Sequence, residues 1–131
     1  MFRKLVVAIA SAVALVGAGS GVAVAAPPVT LGGGSGITLG DNGQDIFDCT
    51  LTTIGNDAAG RLVGLTAAHC GSPGMTVKAE YDLAAGSVGR IVSTNERLDY
   101  AVIEFDRGKV VPVNRVGNVT ITGLGAPAGF P

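Results

Sequence analysis

The sequence has no tryptophan, a single histidine, two cysteines and only 5% aromatic residues. One imidazole and two thiols do not make the ligand spacing of a zinc site, even though His69 and Cys70 are adjacent. Nine Lys and Arg stand against ten Asp and Glu, and there is no block of like charge. That balance argues against nucleic acid or an anionic membrane surface as a partner. After the first apolar stretch, no run of ten or more residues has helical periodicity, so a helical domain is excluded. No internal repeat is present, and nothing points to a metal, nucleotide or other cofactor.

Glycine is abundant, with 21 residues, and so are short runs of Val, Ala, Leu and Ile. The chain opens with a positive "MFRK", then the apolar "LVVAIASAVALVGAG", then the small residues "AVAA". This order reads as a secretory signal peptide over residues 1–25, cut after Ala25, which predicts a secreted, extracellular protein. Its Gly and Ser interruptions and its small-residue end argue against a membrane anchor. No twin-arginine pair is present. Loss of Arg3 and Lys4 with the signal leaves seven basic residues against ten acidic ones. About 105 residues remain, enough for one small domain. Outside the cytoplasm an even cysteine count suggests a bridge, here Cys49 to Cys70. The alternatives are two buried free thiols or, less favoured by spacing, a metal site.

Residues 26–36, "APPVTLGGGSG", read as a flexible or loosely paired lead-in. From Ile37 onward, apolar runs alternate with turn signals. "DNGQ" at Asp41–Gln44 is a turn, "IFDCTLTTI" a strand, "GNDAAG" a loop and "RLVGLTAA" a second strand. "MTVKAEYDL" has period two, with Val77, Ala79, Tyr81 and Leu83 on one face. In "DYAVIEF" the inward set is Ala101, Ile103 and Phe105. "VVPV" contains Pro112, which limits it to an edge strand or a strand end. Six or seven strands at this spacing predict an all-β barrel or sandwich over residues 37–124.

Two features stand out. "LTAAHCG" ends an apolar run on the only histidine, and thirty residues later Asp99 opens the strongly apolar "DYAVIEF". An acid at the mouth of a core strand needs a partner against burial, and an imidazole N–H is one. A histidine held by an aspartate is two-thirds of a relay that activates a nucleophile.

"LTAAHCG" preceded by "CTLTT", followed by "LDYAVIEF", resembles the N-terminal half of a chymotrypsin/trypsin-like serine protease of the short secreted bacterial type. The likeness spans roughly residues 32 to 125 and implies a six-stranded antiparallel Greek-key barrel, the first of the family's two. It implies His69 as general base, Asp99 as the acid that orients it, and Cys49–Cys70 as the bridge beside the base. The implied activity is that of a serine-type endopeptidase, a hydrolase acting on polypeptide substrates once a second barrel is supplied.

The family's "GDSGG"-type serine turn has no counterpart here. Ser35, in "GGGSG", reads as part of the lead-in, Ser72 as a turn residue, and Ser87 and Ser93 as parts of an ordinary strand. "GLGAPAGFP" resembles the connector toward a second barrel, so residues 125–131 are expected to be a truncated inter-barrel linker. In triad enzymes loss of the serine removes about six orders of magnitude of rate, so this chain alone is expected to be inactive. A lone first barrel exposes its interface and is expected to associate with itself. Two other readings remain: a non-catalytic secreted β-barrel binding module, and an unrelated β-domain with His69 and Asp99 far apart. The sequon at Asn118 carries little weight beside a bacterial-type signal.

Overall fold

The computed structural model describes residues 24–123 together with Gly17, Gly19, Gly21 and Gly125. The expected signal peptide and the expected linker over 125–131 lie largely outside the described residues. The described chain is mostly β. Its strands are β1 (Val29–Leu31), β2 (Gly36–Asp41), β3 (Gln44–Thr50), β4 (Thr53–Asn56), β5 (Leu62–Thr66) and β6 (Thr76–Ala79). They continue with β7 (Gly89–Asn95), β8 (Tyr100–Phe105), β9 (Val110–Pro112), β10 (Arg115–Val116) and β11 (Val119–Thr120). Two 3-10 turns, Ala68–Cys70 and Glu80–Ala85, are the only helical pieces among the described residues.

Seven strands form one antiparallel sheet in the order β3-β2-β6-β7-β8-β5-β4. Its two outermost strands, β3 and β4, are consecutive in the chain, with only Leu51 and Thr52 between them. In a flat sheet those edges would lie about 29 Å apart. Three residue steps reach at most about 11 Å. The sheet therefore curls until its edges approach one another. Register shifts at Leu39/Gly40 in β2 and Ile91/Ser93 in β7 supply local bending. The core fills the concave side, where Leu31, Ile37, Leu39, Leu51, Val77, Val88, Ile91 and Ile103 are fully buried.

The turn expected at Asp41–Gln44 closes the β2–β3 hairpin. Asn42 and Gly43 both have positive φ, 50° and 79°, which a two-residue hairpin turn of the favoured hand requires. In β8 Ala101, Ile103 and Phe105 are buried as the alternation demanded. At the GNDAAG loop, Asp57 Oδ1 accepts from the backbone N–H groups of Ala59 and Arg61, and the Arg61 guanidinium lies 2.7 Å from Oδ2.

Several expectations need correction. "IFDCTLTTI" is not one straight strand but β3 and β4 on either side of the Leu51–Thr52 bend. The period-two strand over residues 75–83 stops at Ala79, and Tyr81 and Leu83 are exposed. Ala79 pairs with Ile37 near the start of β2, so the chain beyond it has no strand to pair with and folds into the 3-10 turn Glu80–Ala85. Of the two alternatives for the lead-in over 26–36, flexible or loosely paired, Val29–Leu31 takes the paired one. Val29–Leu31 pairs in parallel with Val110–Pro112, and Val29 and Leu31 sit in the core. Burial of two large side chains outweighs the loop-forming character of the flanking glycines and prolines. Pro112 ends the edge strand β9, as its missing N–H requires.

Truncating Leu31 to Ala should therefore lower the unfolding free energy by about 2–5 kcal/mol in a urea titration. A change below about 0.5 kcal/mol would mean that β1 is surface decoration rather than core.

Candidate active site

The site is assembled by the β5–β8 register. Thr66 pairs with Ala101, so the end of β5 lies beside the start of β8. His69 follows Thr66 by three residues and Asp99 precedes Ala101 by two. The two side chains therefore leave the sheet at the same corner.

His69 sits in the middle of the 3-10 turn Ala68–Cys70, closed by Cys70 N–H donating to Ala67 O at 3.1 Å. Ala68 and Cys70 are buried, which anchors the turn and turns the imidazole outward. Cys70 is bonded to Cys49 of β3, with Cα atoms 6.3 Å apart. The bridge ties the His69 turn to the opposite edge of the curled sheet. Thr66 adds a second tie, its Oγ1–H donating to Thr50 O at 2.8 Å. A Cβ at Gly71 would lie 2.9 Å from both Ile91 Cδ1 and Met75 Sδ, so a larger residue there would displace those side-chain ends.

Asp99 ends the turn between β7 and β8 with a φ of 52°. Left-handed backbone is uncommon outside glycine, and aspartate is among the residues that tolerate it best. The conformation directs the carboxylate back onto the His69 turn. Asp99 Oδ1 accepts the His69 backbone N–H at 3.1 Å, and His69 Nδ1 lies 3.0 Å from Oδ1 and 2.8 Å from Oδ2. The carboxylate therefore grips backbone and ring of one residue together. With a proton assigned to Nδ1, Nε2 carries the free lone pair of a largely exposed ring. Among the described residues Nε2 has no hydrogen-bond partner.

The backbone N–H of His69, foremost, and then the bond to its ring hold the Asp99 carboxyl below the ordinary aspartate range. The expected motive of burial is corrected: the Asp99 side chain is 52% exposed and that of His69 74%. The pair forms because of turn geometry and hydrogen bonds, not because an acid was taken from water.

Cys49, Cys70, His69 and Asp99 thus converge as a cluster. The serines do not join it. Ser35 Oγ accepts the Gly32 N–H, Ser87 Oγ–H donates to Gly89 O, and Ser93 lies within β7. Among the described residues no serine hydroxyl hydrogen-bonds His69. The cavity at the pair is lined by Ala68, His69, Glu96 and Asp99. Glu96 was not anticipated, and its only sequence signal is its place three residues before Asp99 in the same turn. No group of three or more metal-ligating side chains converges among the described residues.

No family model matches this chain, and no curated protein matches it either.

Replacing both Cys49 and Cys70 by Ala should lower the unfolding free energy by about 3 kcal/mol, read from denaturant midpoints. The Asp99 carboxyl is depressed in the folded state, so its contribution is complete above its unfolded value of about 3.9 and is lost as pH falls through the folded value. The stability difference between the wild type and Asp99→Asn should accordingly shrink as pH falls below about 3.9. A difference that stays constant down to pH 2 would show that the carboxylate bonds are not formed.

Proposed function

We propose that this chain is the base-and-acid half of a secreted chymotrypsin-like serine endopeptidase. Its nucleophile, oxyanion donors and specificity pocket are contributed by a second barrel. The single observation that carries the reading is the Asp99 carboxylate bonded to both the ring and the backbone of His69, with no hydrogen bond to Nε2 among the described residues. In such a relay, Nε2 takes the proton of a serine hydroxyl as the oxygen attacks the peptide carbonyl. Asp99 keeps the ring in the required tautomer and stabilises the imidazolium that forms. The ring later returns that proton to the leaving amine.

In this reading the curled sheet is a closed six-stranded Greek-key barrel, with β3 and β4 counted as one bent strand. Following the pairings from β2 through β3/β4, β5, β8, β7 and β6 returns to β2, which supports that count. The Cys49–Cys70 bridge supports export to an oxidising compartment. Exposed Val111, Val119 and Ile121 support the expectation that the lone barrel associates with itself.

A second reading, a non-catalytic β-barrel binding module, is favoured by one fact. No serine hydroxyl among the described residues reaches His69.

One measurement separates these readings, and a second tests the absence of a nucleophile that both share. Translating the DNA beyond the Pro131 codon in all three frames should reveal a Gly-Asp-Ser-Gly-Gly turn, and its absence from every frame would favour the binding module. The 131-residue chain should remain unlabelled by a fluorophosphonate probe, whereas labelling of Ser35, Ser72, Ser87 or Ser93 would overturn both readings. In the complete two-barrel protein, Asp99→Asn should lower kcat about 10⁴-fold.

A further inference from the structure

We infer that the His69–Asp99 pair is itself a nucleophilic acyl-transfer centre, hydrolysing activated acyl compounds such as aryl esters and thioesters without a serine. The inference uses the same pair as the proposed endopeptidase but does not depend on a second barrel. What carries it is the unspent Nε2. The ring is 74% exposed, and Nε2 has no hydrogen-bond partner among the described residues. Nδ1 is gripped at 2.8 and 3.0 Å by a carboxylate that is in turn fixed by the His69 backbone N–H. An imidazole with its Nδ1–H bonded to a carboxylate is a stronger nucleophile at Nε2, because the positive charge that develops on the ring is met by a fixed anion. Bonds from the same carboxylate to ring and backbone also limit ring rotation, so less orientational freedom is lost on attack.

The chemistry closes without a co-reactant other than water. The Nε2 lone pair adds to the acyl carbon, a C–N bond forms, and the bond to the leaving oxygen or sulfur breaks with its electron pair. The leaving group departs as aryloxide or thiolate. The acylated ring is cationic and keeps its Nδ1–H on Asp99. Water then adds to the acyl carbon, the C–N bond breaks, and its electron pair returns to Nε2. The acid is released, and the proton freed in this step neutralises the aryloxide or thiolate. Peptide bonds are outside the range of this step, since an amide anion is far more basic than imidazole and the adduct would expel the ring instead. Glu96 lines the same cavity and makes its rim acidic, which favours neutral or cationic acyl donors over anionic ones.

The test uses p-nitrophenyl acetate with the oxidised chain, and N-acetylhistidine methylamide as the reference imidazole. The expected second-order rate constant is about tenfold or more above the reference, with acid-quenched mass spectrometry placing the acetyl group on His69. His69→Gln should remove this rate. Asp99→Asn should reduce it to the reference level and should abolish the Nδ1–H tautomer signature in the ¹⁵N spectrum of the ring. Asp99 is a positioning residue here, and the tautomer readout would not move if it only braced the fold. A rate no greater than the reference, or an acetyl group found on lysine, serine or the N-terminus instead, would overturn the inference. Should a variant fail to fold, the wild-type rate and the adduct position decide by themselves. Failure here leaves the search for a downstream Gly-Asp-Ser-Gly-Gly turn unaffected, and failure of that search leaves this inference standing.

Discussion

Everything at the His69 corner depends on the register between β5 and β8. With Thr66 opposite Ala101, the chain leaving β5 and the chain arriving at β8 meet at one end of the sheet. A slip by a single residue would turn the inward set Ala101, Ile103 and Phe105 to solvent, so the core forbids it. A slip by two would keep the faces but move Asp99 about 7 Å along the strand, beyond reach of the imidazole. Core packing thus protects the geometry of two residues that are not in the core. That is why an exposed pair can have a defined arrangement.

The same corner is held from the other side by the curl of the sheet. The Leu51–Thr52 bend makes β3 and β4 parts of one continuous path. The bend lets Cys49 on one edge meet Cys70 beside His69, and lets Thr50 O accept from Thr66. A flat sheet with these strands would leave Cys49 and Cys70 on opposite edges, too distant to bond. The bridge, the threonine hydrogen bond and the buried Ala68 and Cys70 fix the backbone of the turn. Asp99 then fixes the ring. Few contacts hold the ring itself, and the left-handed backbone at Asp99 is a modest cost accepted at one residue of the pair.

Legibility in the sequence followed local periodicity. The inward set of β8, the Asn42–Gly43 turn and the end of β9 at Pro112 could all be read from alternation or turn chemistry, because those signals act over a few neighbours. The misread segment and the one left open share a cause. At Tyr81 and Leu83 the alternation continues, but β2 has no backbone left to pair with, and a strand without a partner does not persist. At Val29 and Leu31 the surrounding Gly and Pro leave a flexible and a loosely paired segment both open, and a distant strand, β9, decides by offering a place to bury both side chains. In each case the deciding neighbour lies thirty or more residues away. Glu96 was missed for a related reason: a turn residue gains meaning only when the fold shows which cavity it lines.

By itself the sequence determined the β character, the choice of cysteine partner and the two residue types able to make a base and its orienting acid. With only one other cysteine available, Cys70 had no second choice, and with one histidine there was a single imidazole to place. Only the tertiary structure decided that His69 and Asp99 meet, that both stay in water, and that Nε2 is left without a hydroxyl among the described residues. Composition and periodicity are properties of the chain as a line. Contact between residues thirty positions apart depends on strand register and sheet curvature, which are settled by the packing of the whole core.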